Sequence, residues 1–272
     1  MKLIFLDIDG TLTEPGATKP PESAAEAVRK ARAAGNKVFL CTGRNLGMLS
    51  PLLPYGFDGY IASAGGYVVC GDKVLYDCPM TMQQRDTAMR VLHDSGVYRT
   101  IEALDASYGD EGVTAFLGSI SGGNSELVRW RRAIEENLNI RPMAEYDGRP
   151  LYKVIVMCER PEQLAHAREA LEGDFQFVMQ DAFGKGYVNG ELINRAFDKG
   201  RGVRRVAEAL GVSLADTVGF GDSMNDLEMI ETVGTSVCME NGSEELKSRS
   251  DLICPAVSAD GLAQAFEQLH LI

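Results

Sequence analysis

Leu3-Ile-Phe-Leu-Asp-Ile-Asp-Gly-Thr-Leu-Thr13 is the stretch from which the rest of the chain can be read. Its first four residues form a short apolar run suited to a buried strand, and the run stops abruptly at Asp7. Residues two apart on an extended chain project to one side, so Asp7 and Asp9 converge at the mouth of that strand. Two carboxylates about 4 Å apart at an effective dielectric near 20 repel by about 4 kcal/mol unless a cation or a shared proton intervenes. Asp, Gly and Thr are also turn residues, and a plain surface turn is the competing reading.

Working outward, Pro20 and Pro21 stand where a helix can begin, and Ala24, Ala27, Val28, Ala31 and Ala34 recur at helical spacing before Gly35 stops it. Lys37 to Cys41 is a second apolar strand, closed by Thr42, Gly43 and Arg44. Strand, helix, strand in this order predicts a parallel crossover unit. Tyr60 to Ala62 and Tyr67 to Cys70 read as further strands around Gly65 and Gly66.

Near residue 80 the pattern changes. Thr81 and Gln84 form a capping-box pair that opens a helix to about Ser95. Strand-like runs follow at Arg99 to Ala103, Val113 to Leu117, Tyr152 to Cys158 and Gln176 to Gln180, with helices near Ser125 to Leu138 and Pro161 to Leu171. The glycine- and serine-rich Ser107 to Asn124 reads as a hairpin tip and connecting loop. Strands in pairs with helices between them suggest an α+β layer.

The alternating pattern resumes with Asp198, which can cap a helix from Lys199 to Leu210 ending at Gly211. Thr217 to Gly221 is another buried strand, followed by Asp222 and Asp226; Val237 to Met239 is one more, and Ala259 to Leu269 is a closing amphipathic helix. The expectation is an α/β chain with a Rossmann-like parallel-sheet core of residues 1–79 and 188–272, interrupted by an inserted α+β domain of residues 80–187.

The composition fits that size. At 272 residues, 45% hydrophobic and 24% charged, the chain can bury a sizeable core. A formal charge of -12 argues against nucleic acid or an anionic membrane as partner. No stretch approaches the roughly 18 apolar residues needed to span a bilayer, and the opening run is too short and too soon acidic for a signal sequence. The six cysteines are scattered without C-x-x-C, which suggests buried thiols in a reducing, cytoplasmic setting and no disulfide frame or zinc site.

Three strand candidates end in a polar residue and a turn: Asp7, Thr42 and Asp222. Strands of a parallel sheet run the same way, so these ends meet on one edge, where open α/β folds bind ligands. Asp7, Asp9, Asp222 and Asp226 bring four carboxylates there, with Lys199 as the cation the pattern offers. Hard oxygen ligands without His or Cys point to Mg²⁺. A hydroxyl at Thr42, backbone amides around Gly10 and Gly43, an ammonium and a divalent ion can together hold a phosphoryl group, and the reaction class implied is phosphoryl transfer to a carboxylate.

Asp7-Ile-Asp-Gly-Thr-Leu, Cys41-Thr-Gly-Arg, Asp198-Lys-Gly and Gly221-Asp-Ser-Met-Asn-Asp, in that order with an insert between the second and third, resemble the haloacid dehalogenase-like hydrolase superfamily, Cof-type branch. Glu191-Leu-Ile, Met239-Glu-Asn-Gly and Asp260-Gly-Leu extend the resemblance over the whole chain. It implies a phosphatase of small phosphorylated metabolites, sugar phosphates first, with a type IIB cap that closes over the site and chooses the substrate. Asp7 would be the nucleophile that becomes an aspartyl phosphate, and Asp9 would protonate the leaving oxygen and then activate water. Mg²⁺ would be held by the Asp7 side chain, the Asp9 carbonyl and Asp222, with Asp226 supporting it directly or through water. Thr42 and Lys199 would grip the phosphoryl oxygens, and Asn225 with the Gly10 and Gly43 amides would orient the group. Relatives that cleave carbon–halogen bonds lack the second Asp and ion-pumping ATPases carry Thr there, so Asp9 favours hydrolysis or phosphate relay. A phosphomutase is the enzymatic alternative, and a phospho-aspartate signalling module the non-enzymatic one.

The chain departs from the family pattern in two places. It reads Ala64-Gly65-Gly66 where relatives commonly have Asn-Gly-Ala, and Asn241-Gly242 where they often have Asn-Ala. Arg44 is open between pairing with an acidic neighbour and contacting substrate. His93, His166 and His270 lack ligand spacing, Trp130 reads as core of the insert, and Glu240, Glu244 and Glu245 as a solvated helix entrance. Side chains in the glycine-rich Ser107 to Asn124 stretch and near Lys185 to Tyr187 are candidates for substrate selection, without assignment.

Overall fold

The computed structural model describes residues 1–113, 140–180 and 188–272. The expected helix at 125–138, most of the strand expected from Val113, Trp130 and the stretch 185–187 lie outside the described residues. The chain divides into two compact units, one of Met1–Arg44, Leu49–Asp77 and Phe197–Ile272, the other of Asn45–Met48 and Cys78–Ala196.

In the first unit β1 (Leu3–Leu6), α1 (Glu22–Ala33) and β2 (Lys37–Cys41) form the expected crossover, followed by β3 (Gly59–Ala62), β4 (Tyr67–Cys70) and β5 (Lys73–Asp77). The inserted unit holds α2 (Met82–Asp94), β6 (Tyr98–Ala103), β7 (Ser107–Gly109), β8 (Ile140–Pro142), β9 (Leu151–Cys158), α3 (Ala165–Leu171), β10 (Phe175–Gln180) and β11 (Val188–Asn194). The first unit then resumes with α4 (Lys199–Leu210), β12 (Thr217–Gly221), β13 (Thr235–Met239), β14 (Leu252–Cys254) and α5 (Gly261–Gln268).

The first unit's sheet has the order β14-β13-β12-β1-β2-β3-β4-β5. From β14 to β3 every pairing is parallel, while β4 and β5 join antiparallel at one edge. The chain moves from β1 to β2 on one side and later enters β12 on the other, so the strand order reverses at β1. That reversal opens a crevice beyond the carboxyl ends of the strands.

Both sheet faces are covered, which is why these strands are near-continuous apolar runs. Leu3, Phe5, Phe39, Cys41 and Ile61 pack with Val203, Val206 and Ala207 of α4. The alternate residues face the other way, where Phe220 meets Phe266 of α5 with ring centroids 5.3 Å apart. Helix α4 starts where the sequence predicts, with the Asp198 carboxylate accepting from the Arg201 N–H at 2.6 Å, and stops at Gly211 in the left-handed region. Gly202 lets it approach the sheet closely, since a Cβ there would stand 2.6 Å from Ile61.

The inserted unit's sheet has the order β10-β11-β9-β6-β7-β8. Helices α2 and α3, with Leu164 just before α3, cover one face through Ala88, Val91, Leu92, Ala167 and Leu171 against Val154, Val156 and Cys158. The capping box at Thr81 and Gln84 is formed in both directions. β11 pairs antiparallel with β9 and β10, so it belongs to this sheet and the unit ends at Ala196, later than the boundary expected at 187/188. The polar sequence Val-Asn-Gly-Glu-Leu-Ile-Asn disguised it as a connection. Ser107–Gly109, expected as part of a loop, pairs with β6. All six cysteines are free thiols.

Candidate active site

β1, β2 and β12 are neighbours in the parallel sheet, so Asp7, Thr42 and Asp222 leave adjacent strand ends on the same edge. The Asp7 N–H continues the ladder by donating to the Phe220 carbonyl at 3.0 Å. Lys199, the first residue of α4, is 1% exposed and reaches into this edge. Its Nζ donates to Asp7 Oδ1 at 2.7 Å, Asp226 Oδ1 at 2.6 Å and Asn225 Oδ1 at 3.3 Å. Asp226 Oδ2 accepts from the N–H groups of Asp222 and Ser223 at 3.1 and 3.2 Å, which fixes the turn after β12.

Carboxylate oxygens of Asp7, Asp222 and Asp226 lie within 4.8 Å of one another. Asp9 belongs to the same edge, but Arg44 holds its carboxylate, with Nε donating to Oδ2 at 2.8 Å and Nη2 to Oδ1 at 2.7 Å. The Gly16 N–H donates to the same Oδ1 at 2.7 Å. The sequence left Arg44 open between an acidic neighbour and substrate; in the structure its partner is Asp9.

Four carboxylates with two cations leave two negative charges, the charge that one divalent ion balances. The electrostatics follow. Burial first, then repulsion from Asp226, pushes the Asp7 carboxyl up to about 7 despite the lowering by Lys199. Burial, with Asp7 and Asp226 adding to it, raises Asp222 well above the usual carboxylate range. For Lys199 burial alone would lower the ammonium, but Asp226 and Asp7 outweigh it and hold it well above its ordinary value. The donor set fits a hard divalent cation. Oδ1 of Asp222 is buried without a hydrogen-bond partner, an arrangement that a buried carboxylate oxygen avoids unless another ligand claims it.

Gly10 packs against that carboxylate. Its φ of +87° is in the region that favours glycine, and a Cβ there would stand 2.3 Å from Asp222 Oδ2. Its N–H is committed to the Thr13 carbonyl at 2.8 Å, so the expectation that this amide orients a phosphoryl group meets a donor already engaged in the turn. Thr42 is buried, with Oγ1 accepting from the Arg44 N–H at 3.1 Å, which leaves its O–H able to donate. Gly43 is buried between them. Asn225 accepts from Lys199 and from Ser223 Oγ, the latter at 2.9 Å.

Asn241, at the end of β13, had no assigned role in the sequence. Its Nδ2 donates to the Gly10 carbonyl at 3.0 Å and approaches Asp222 Oδ2 at 3.4 Å, tying two strand ends together. The signal was its position just past a parallel strand on the same edge. The other departure lies beside Thr42. Ser63 and Ala64 carry φ of 49° and 57°, and Ala64 N–H donates to the Thr42 carbonyl at 3.0 Å. Asn tolerates that left-handed backbone better than Ala, which accounts physically for the Asn of the family pattern.

Comparison with known proteins places the chain in a family. Residues 4–266 match the family described as haloacid dehalogenase-like hydrolase. The phosphoglycolate phosphatase of Methanosarcina acetivorans is 34% identical over 99% of this chain and 96% of its own. The 5-amino-6-(5-phospho-D-ribitylamino)uracil phosphatase YwtE of Bacillus subtilis (strain 168) is 26% identical over 99% and 98%. Among solved structures, the subclass IIB sugar phosphatase BT4131 shares the fold, with a TM-score of 0.78 at 22% identity over 100% of both chains.

Proposed function

Because the chain belongs to the haloacid dehalogenase-like hydrolase family, we propose that it is a Mg²⁺-dependent phosphatase of small phosphorylated metabolites, with sugar phosphates the first class to test. The observation that carries this reading is the junction of Asp7, Lys199 and the partnerless oxygen of Asp222 at one strand edge.

In this reading Asp7 attacks phosphorus in line, forming the Asp7 O–P bond as the ester P–O bond breaks. Asp9 gives a proton to the departing oxygen, then takes one from the water that attacks phosphorus and releases Asp7. The Thr42 hydroxyl and the Lys199 ammonium bind the phosphoryl oxygens, where charge spreads in the transition state; Asn225 and the Gly43 backbone orient the group. Asp7 and Asp222, with the Asp9 carbonyl and Asp226 in support, would hold Mg²⁺. The ion supplies positive charge against the phosphoryl oxygens and the crowded carboxylates. Asp226, both of whose oxygens are engaged by Lys199 and backbone N–H groups, keeps Lys199 and Asp222 in register.

A panel of phosphorylated metabolites assayed for free phosphate tests this. Turnover is expected with Mg²⁺, and is expected to vanish with EDTA and in Asp7→Asn. Near-normal phosphate release by Asp7→Asn would reject Asp7 as nucleophile.

A further inference from the structure

Arg44 is buried, with Nε and Nη2 of its guanidinium turned onto acceptors of the first unit. Its side chain is 5% exposed and that of Asp9 7%. Besides the two bonds to Asp9, Nη2 donates to the Ala17 carbonyl at 3.2 Å. The main chain is fixed as well, its N–H on Thr42 Oγ1 and its carbonyl accepting from the Ser63 N–H at 2.9 Å. A two-point guanidinium–carboxylate pair sets the plane of the carboxylate as well as its place, which a single ammonium contact does not. With the Gly16 N–H as a third donor, the Asp9 carboxylate is held in one orientation before any substrate arrives.

We propose that Arg44 is a positioning residue that acts through Asp9, and that it serves the step in which Asp9 takes a proton from water as the Asp7 O–P bond breaks. The inference rests on the phosphatase reading above. Nε and Nη2 of Arg44 already face protein acceptors, so the two-point edge of the guanidinium is committed to Asp9. Misplacing a reacting group by about an ångström lowers a rate on the order of 100-fold.

Leaving-group chemistry isolates that step. 4-Nitrophenyl phosphate expels nitrophenolate without needing a proton, so formation of the aspartyl phosphate is insensitive to Asp9, whereas its hydrolysis is not. The Mg²⁺-loaded full chain is compared with Arg44→Gln, Arg44→Lys, Asp9→Asn and the Arg44→Gln/Asp9→Asn double variant by rapid mixing. Arg44→Gln is expected to release nitrophenolate in a fast burst of one equivalent per site, then turn over on the order of 100-fold more slowly than wild type while phosphoenzyme accumulates. Arg44→Lys is expected between the two, and the double variant no slower than Asp9→Asn alone.

A burst slowed together with a raised KM in Arg44→Gln would overturn the proposal and make Arg44 a phosphoryl contact. Unchanged steady-state turnover in Arg44→Gln, with the fold verified by melting temperature, would overturn it too. Absence of any phosphoenzyme in Asp9→Asn would instead strike the two-step reading beneath it, so the two failures are distinguishable.

Discussion

Gly10 has no side chain, yet it determines where a carboxylate can stand. In Gly10→Ala the new methyl would meet Asp222 Oδ2 at 2.3 Å on a backbone with φ of +87°. Strain of that kind costs on the order of 1–3 kcal/mol, and the relief open to the chain is to move Asp222. We expect Gly10→Ala to remain folded by circular dichroism, to bind Mg²⁺ at least about tenfold more weakly in calorimetry, and to lose turnover in proportion. An unchanged Mg²⁺ affinity would mean that Asp222 does not help hold the ion. At this scale the carboxylates were legible because each follows an apolar strand, and spacing by two residues on an extended chain is a local property. The Arg44–Asp9 clasp was not legible, because two loops separated by a helix must be brought together before the pairing exists. Asn241 was hidden for the same reason, since its partners Gly10 and Asp222 come from two other strands.

In the first unit's sheet the inner strands wrote themselves into the sequence; the two edge strands did not. β1, β2 and β12 are buried on both faces and therefore read as unbroken apolar runs. β5 at one edge and β14 at the other bury less, and their sequences give a weaker signal. β11 was missed because its face carries Glu191, which pairs with Lys153 of β9 at 2.5 Å, while Lys153 also reaches Glu102 of β6 at 3.3 Å. All three side chains are buried within the inserted unit's sheet. Charged residues in a strand interior look like loop until their partners across the sheet are known. Removing the ammonium would leave two carboxylates confined together, so Lys153→Met is expected to destabilise the chain by about 3–5 kcal/mol, measured by urea unfolding. Replacing all three residues by apolar side chains is expected to recover most of that loss.

The molecule as a whole is acidic, with a formal charge of -12, and part of that excess is concentrated where the strands end. Without a divalent ion the Asp7 carboxyl is shifted from 3.8 to about 7 and Asp222 upward as well. Carboxyls raised on folding lend stability below their unfolded value that is lost as pH climbs through the folded one. The contribution of Asp7 to the melting temperature in EDTA should therefore fall between pH 3.8 and about 7, with Asp222 acting in the same direction. Saturating Mg²⁺ should restore it, more at about pH 8 than at about pH 5, because ion and proton compete for the same oxygens. At a hundred times its dissociation constant the ion would add about 2.7 kcal/mol. Scanning calorimetry across pH with and without Mg²⁺ checks this, and equal shifts at both pH values would contradict it.

β1 lies inside its sheet with a parallel neighbour on either side, and Asp7 extends the ladder through the hydrogen bond its N–H donates to the Phe220 carbonyl. Hydrogen exchange at that amide should be among the slowest in the protein, since releasing it means dismantling the middle of the first unit's sheet. Fraying at the margins would leave the proposed nucleophile in place. Under mild denaturant, then, activity should persist until the chain melts cooperatively, with inactivation and unfolding tracing a single curve.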